Sequence, residues 1–508
     1  MPNPLFDQLF GRHAGRDTPF LRGADGALLT HAAFLTQAAQ LAHALTGLGL
    51  SAGDRVAVQV EKSGAALAVY AASVQAGLVF LPLNPAYTPT EVDYFIGNSG
   101  ATLLLATPAK AAALAEVAAR HGAQIQTLDH DGTGTLADLA EGQPARFPTV
   151  DRAHDALAAI LYTSGTTGRS KGAMLTQGNL LSNAQVLADL WAFTDRDVLL
   201  HALPIFHTHG LFVATHVTLL AGGSMIFLPK FDPDALIRLM PQATTMMGVP
   251  TFYTRLLDDP RLETALTAHI RLFISGSAPL LAETHRQWTA RTGHRILERY
   301  GMTETNMNTS NPYDGERRPG TVGLPLPGVE LRIMADGVEL PQGEVGVIEV
   351  RGPNVFVGYW QMPEKTAEEL RPDGWFITGD LGQVDPDGYV QIVGRSKDLI
   401  ITGGYNVYPK EVELLLDAVP GIEESAVIGL PHPDFGEAVF AVLVAKKGAE
   451  VSAETALAAL GRDLARFKQP KAAVFVPDLP RNTMGKVQKN VLRDRYGDWF
   501  KRPSVRLV

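Results

Sequence analysis

With 508 residues, of which 46% are hydrophobic and 19% charged, the chain can bury several cores and lies far from disordered compositions. A formal net charge of −9 disfavours nucleic acid as the main partner, so any anion site must be local. Cysteine is absent, which excludes disulfides, thiolate nucleophiles and Cys-ligated zinc.

The start, Met1 to Asp7, lacks a basic stretch leading into an apolar core, so no signal peptide is expected. From Arg55 the chain alternates short β-branched runs with Ala/Leu-rich helical patterns: Arg55 to Val60, Ala65 to Gln75, Val79 to Pro82. The rhythm returns with strands expected near 157–161, 198–203, 225–228, 244–247, 272–275 and 296–298. The longest apolar stretch, Leu203 to Leu228, is broken by Pro204, His207, His209 and His216, so no bilayer span, no membrane partner and a cytoplasmic location are expected. Gly and Pro thicken between Asn311 and Gly358, where short alternating strands predict a small β-barrel. After Arg395 the style changes to a compact α+β unit, with helices over 409–418 and 453–467 and strands over 424–429, 439–446 and 473–476. The fold class is α/β: a large N-terminal domain (1–395) of two doubly wound sheets plus the barrel, then a small mobile α+β domain (396–508).

The run Tyr162 to Gly172 packs three glycines, five Ser/Thr hydroxyls and Lys171 directly after an apolar strand. Glycines let the backbone N–H groups approach an anion, hydroxyls add donors, and lysine adds a compact charge, so the run reads as a phosphate cradle. It is not a Walker-type loop, because Gly172, not Ser or Thr, follows the lysine. Four further clusters share its character: Tyr300-Gly301-Met302-Thr303-Glu304, Thr378-Gly379-Asp380, Gly394-Arg395-Ser396-Lys397-Asp398 and Pro480 to Lys486.

In order and spacing the five together resemble the adenylate-forming (ANL) superfamily of acyl-CoA synthetases, luciferases and peptide-synthetase adenylation domains. The resemblance implies two steps: a carboxylate attacks the α-phosphate of ATP to give an acyl-adenylate and pyrophosphate, then coenzyme A displaces AMP to give a thioester. It implies ATP, Mg2+ and coenzyme A as cofactors and co-substrates. Thr163, Ser164, Gly165, Thr166, Thr167, Gly168 and Lys171 match the loop that holds the β- and γ-phosphates; Ser170 stands where the family usually has proline. Glu304 matches the magnesium ligand and Thr303 a phosphate contact. Asp380 and Arg395 match the ribose ligands, Tyr300 the residue stacked on adenine, and Ser275, Gly276, Ser277 and Ala278 that pocket's wall. Lys486 matches the lysine that bridges the attacking carboxylate and the α-phosphate, where charge is greatest in the transition state. Lys397 matches the hinge, and Gly403, Gly404 and Tyr405 the passage for the thiol. Lys486 is by the same resemblance a target for a lysine acetyltransferase.

Two arginines bear on the acid. Arg299 sits where the resemblance places the floor of the acyl pocket, and Arg255 on a helix bordering it. Their alternative is solvent, or pairing with Glu298 or Asp258. Two guanidiniums in a carboxylic-acid pocket ask for a second carboxylate, because a buried unpaired arginine costs about 3–5 kcal/mol. Arg299 and Met302 leave room for a short diacid only. With Ser277 and His209 the arginines resemble the malonyl-CoA synthetase branch, whose members also take methylmalonate. His207 matches the residue near the reacting carboxylate that gates the thiol path, and His209 the one against the acyl group. Two histidines at i,i+2 without an acidic neighbour are poor metal spacing. The alternatives are an AMP-forming CoA ligase for another short acid, and a non-catalytic nucleotide binder; a decayed binder has no use for Lys486.

Overall fold

A computed structural model describes residues 3–163, 170–402, 405–433, 435–460, 464, 466–482 and 485–500. The chain forms two compact units, residues 1–330 with 350–376, and residues 331–349 with 377–508.

The first unit carries both large sheets. One has six strands in the order Gln124–Thr127, Leu103–Ala106, Arg55–Gln59, Val79–Pro82, Leu157–Thr163, Lys171–Thr176. All its neighbours are parallel except the last pair, an antiparallel hairpin. The other has nine strands, ordered Leu324–Pro325, Asn306–Ser310, Leu297–Met302, Leu272–Ser275, Thr245–Gly248, Val198–His201, Ser224–Phe227, Pro19–Arg22, Leu28–Thr30. Its middle six are parallel and its ends antiparallel. Both sheets are the doubly wound pattern read from the sequence, and central strands such as Leu103–Ala106 and Thr245–Gly248 are buried throughout, as parallel strands covered on both faces must be.

Crossover helices begin where local chemistry starts them. Ser63 accepts the Ala66 N–H ahead of Gly64–Gln75, whose apolar residues run all round the helix and are nearly all buried. Pro89–Ser99 opens with a full capping box, Thr88 with Glu91. Among the described residues no helix is long and apolar enough to cross a membrane.

In the second unit, three strands of the stretch expected as a barrel join two later ones in a five-stranded sheet ordered Val338–Glu339, Glu330–Ala335, Gly346–Arg351, Phe376–Val384, Val390–Arg395. A second sheet pairs Ile422–His432 with Gly436–Ala445, followed by Ile400–Thr402 and Tyr405–Val407, and Ala472–Phe475 joins Gly436–Ala445 in parallel. The helix Pro409–Asp417 packs its Val412 and Leu416 into that sheet's core with Val427, Val439 and Leu443. The next helix runs Ala453–Ala459; part of the continuation expected to 467 lies outside the described residues.

Candidate active site

The residues singled out in the first unit lie at or just beyond the carboxyl ends of parallel strands. Thr163 ends Leu157–Thr163, Ser275 ends Leu272–Ser275, Tyr300 and Met302 end Leu297–Met302, and His207 and His209 follow Val198–His201. That is where doubly wound sheets open a ligand crevice.

Thr163 pairs with Lys171 in register, so the hairpin fixes both ends of the expected phosphate loop. Ser164, Gly165, Thr166, Thr167 and Gly168 lie outside the described residues. Lys171 Nζ is 3.0 Å from Glu369 Oε2 and 3.1 Å from the Tyr359 hydroxyl, and stands 4.2 Å above the Tyr359 ring. Tyr359 Oη lies 2.6 Å from Glu369 Oε2 and 2.9 Å from Glu304 Oε1, so one hydroxyl proton serves two carboxylates. Main-chain bonds from Met174 N to Gly358 O and from Trp360 N to Gly172 O lay the tyrosine beside the lysine's strand. Burial, then the Glu304 charge, pushes the Tyr359 phenol up, so it stays a donor. Burial alone would raise the Glu369 carboxyl too, but bonds from Tyr359, Lys365 and Lys171 hold it below the usual range. Neither Tyr359 nor Glu369 was singled out from the sequence.

Glu304, 5% exposed, is a hard oxygen donor. Among the described residues no group of three or more His, Asp or Glu forms a cage. A single carboxylate joined through Tyr359 to Lys171, at the end of the expected phosphate loop, fits magnesium, which keeps waters and phosphate oxygens as its remaining ligands. Thr303, Met302 and Tyr300 are partly exposed near it.

Arg299 is 3% exposed, and its Nε and Nη2 have no hydrogen-bond partner among the described residues. Burial lowers its pKa to about 9, which leaves it cationic near neutrality. His209 is buried at the head of a π-helix, His209–Thr215, with Nδ1 3.2 Å from Ser277 Oγ and Nε2 without a partner among the described residues. Burial first and the Arg299 charge second hold the His209 imidazole neutral. Ser277 sits at φ 71°, a left-handed backbone that a non-glycine residue adopts at a cost. Ser275 Oγ is buried and unpartnered among the described residues. Arg299, His209, Ser277 and Gly276 are thus one cluster, with Ala278 following on the same turn. Buried unpaired polar atoms are rare in native proteins, and several in one cluster mark a place for a polar ligand.

Arg255 is not in that cluster. It is exposed on the helix Pro250–Leu257, with its guanidinium 5.9 Å from the Phe231 ring centre. His207 is partly exposed, and its Nδ1 accepts from the His209 N–H at 3.4 Å.

Within the second unit Asp380 and Arg395 face each other across adjacent strands, Arg395 Nε 2.6 Å from Asp380 Oδ1. Thr378 Oγ1 accepts the Asp380 N–H and donates to Ile348 O, which fixes the turn before the acid. The Lys486 ammonium is lowered by desolvation, next by the Arg395 charge, with Asp380 and Asp398 opposing. Lys397 lies in the short 3-10 turn Ser396–Asp398, and burial followed by Arg395 brings its pKa to about 8. Asp398 accepts from Arg493 at 2.6 Å. Tyr405 is exposed, while Gly403 and Gly404 lie outside the described residues.

Sequence comparison places this geometry in a family: residues 10–360 match AMP-binding enzyme, and residues 411–486 match AMP-binding enzyme C-terminal domain. The chain belongs to the AMP-binding enzymes. As such it is an adenylate-forming ligase of the acyl-CoA synthetase type, with ATP, Mg2+ and coenzyme A as its cofactor set. This AMP-binding enzyme is 39% identical to a feruloyl-CoA synthase of Amycolatopsis sp over 478 residues, covering 93% of the chain and 95% of the relative. It is 37% identical to a malonate–CoA ligase of Arabidopsis thaliana over 480 residues, covering 88% and 79%. Its fold superposes on ATP-bound MatB from Rhodopseudomonas palustris with a TM-score of 0.97 and 59% identity, covering 98% of this chain and all of that one.

Proposed function

We propose that this AMP-binding enzyme joins malonate to coenzyme A, forming AMP and pyrophosphate through malonyl-adenylate, with methylmalonate as a second substrate. One observation carries the choice of acid: Arg299 is buried with two guanidinium nitrogens unpartnered among the described residues. A monocarboxylic acid leaves that cation unsatisfied, whereas the distal carboxylate of a short diacid pairs with it bidentately. The likeness to the malonate–CoA ligase and to MatB supports the same reading.

In this reading Arg299 holds the distal carboxylate, and His209, kept neutral, donates or accepts beside it through Ser277. An oxygen of the other carboxylate attacks the α-phosphorus of ATP, and the bond to the β-phosphate oxygen breaks to release pyrophosphate. Thr163, the loop 164–168, Thr303 and Lys171 hold the phosphates. Glu304 would hold Mg2+, which when bound neutralises phosphoryl charge. Tyr300 and Ser275 to Ala278 receive adenine, Asp380 and Arg395 the ribose, and Lys486 supplies the cation that stabilises the transition state. The coenzyme A sulfur then attacks the acyl carbon and AMP leaves, with His207, Gly403, Gly404 and Tyr405 along the thiol path and a hinge at Lys397 between the two steps, at the junction of domains 1–395 and 396–508. Arg255 would lie at most at the rim. Acetylation of Lys486 by a lysine acetyltransferase would remove the charge. We place the enzyme in the cytoplasm.

The test is AMP and thioester formation from ATP, Mg2+ and coenzyme A across a panel of C2 to C6 mono- and diacids. Malonate should lead; turnover only on monoacids would refute the assignment.

A further inference from the structure

Lys62 lies between the strand Arg55–Gln59 and the helix Gly64–Gln75, and among the described residues no carboxylate is within ion-pair reach of it. Its Nζ is 2.9 Å from His201 Nδ1, 2.8 Å from His201 O and 4.2 Å from the centre of the Phe227 ring. His201 is fully buried at the end of the strand Val198–His201, and its Nε2 is 2.9 Å from Gly210 O. We propose that Lys62 and His201 are positioning residues that hold the first turn of the His209 helix and so set the fit of the acid substrate; the proposal rests on the acid-pocket reading above.

The donors fix the chemistry. A carbonyl oxygen only accepts, so His201 must carry its proton on Nε2 to bond Gly210 O. Nδ1 is then a bare acceptor, and Lys62 supplies the hydrogen it needs. A neutral amine is sufficient, since it has two hydrogens for Nδ1 and for the His201 carbonyl, and burial pushes the ammonium down toward that form. Gly210 O also accepts from Thr215 Oγ1 at 2.9 Å, so side chains fill the widened π turn. Only glycine fits this position of the turn, because a Cβ on Gly210 would run into Pro204 O. The residue before this glycine is His209, bonded to Ser277 and held neutral by burial first and the Arg299 charge second. A lysine is a costly filler for a buried site, and an apolar side chain of its length would serve packing at least as well. Its presence beside His201 is therefore explained by the hydrogen bonds it gives.

The test uses the whole enzyme and whichever acid of the C2 to C6 panel has the highest kcat/KM, so that a wrong assignment of malonate appears in the panel ranking and not here. In the wild type, imidazole nitrogen NMR, with His201 assigned by its absence in His201→Gln, should show Nε2 protonated and Nδ1 bare near pH 7. In Lys62→Met, which removes the bonds to His201 Nδ1 and His201 O, KM for the acid should rise about tenfold with KM for ATP unchanged and the melting temperature kept. A proton on Nδ1 in the wild type overturns the proposal whether or not the variant folds. So does a variant whose acid KM is unchanged, or whose acid and ATP KM values rise together.

Discussion

Gly276 leaves open the space that the Arg299 guanidinium fills: a Cβ on Gly276 would stand 2.3 Å from Arg299 Cζ and 2.4 Å from its Nη1. On the proposed function, the glycine would therefore serve the acid site as well as the nucleotide wall. Gly276→Ala should displace the guanidinium and raise KM for malonate about tenfold or more, an effect of the size that a misplaced ligand contact carries. Steady-state kinetics with malonate varied at saturating ATP checks this, and an unchanged KM would separate Arg299 from the acid.

Lys486→Ala should lower the rate of pyrophosphate release about 100- to 1,000-fold, as expected for one lost transition-state contact, while thioester formation from supplied malonyl-adenylate persists. The lowered Lys486 pKa also sets a sign. Its charge is lost as pH rises through that value, so adenylation should decline at a lower alkaline pH than an ordinary lysine would give. Equal loss of both half-reactions in the variant would contradict the role.

The Lys171 to Glu369 pair, with side chains 21% and 22% exposed, competes with any phosphate for the same ammonium. Glu369→Gln should therefore lower the Kd for ATP about two- to fivefold, the range of a partly exposed ion pair. Titration calorimetry with ATP reads it directly; weaker ATP binding would mean that Glu369 presents Lys171 to the nucleotide.

Asp417 in the second unit is bonded to Ser425 at 2.8 Å, and its carboxyl is pushed up to about 6, by burial first, with the Glu413 and Glu424 charges adding. Between the ordinary aspartate value and 6 the folded state binds more protons than the unfolded one, so stability falls as pH rises through that window. Asp417→Asn should stabilise the protein by about 1–3 kcal/mol at pH 8 and leave it unchanged near pH 4, read by thermal melts at both pH values.

Much of the fold was legible in the chain. The parallel strands announced themselves as short apolar runs, while the ends of the expected phosphate loop, Glu304, Asp380, Arg395 and Lys486 stood out through their resemblance to the adenylate-forming motifs. Arg299 was found because it precedes Tyr300. What stayed hidden depends on contacts made only by folding. Tyr359 and Glu369 meet Lys171 from 188 and 198 residues away, because main-chain bonds lay 358–360 along the lysine's strand. Arg255 shows the same limit in helix phase. Tyr253 is fully buried and bonds Ile274 O, and two residues on, about 200° round a helix, Arg255 turns outward over Phe231.

The most direct test of the account is the ratio of kcat/KM for malonate to that for butyrate, measured in the wild type and in Arg299→Leu. The buried guanidinium predicts a ratio of about 100 to 1,000 in the wild type, falling to near one or below in the variant as butyrate gains and malonate loses. A wild-type ratio near one, or a ratio that survives removal of Arg299, would contradict the claim that this side chain selects a dicarboxylic acid.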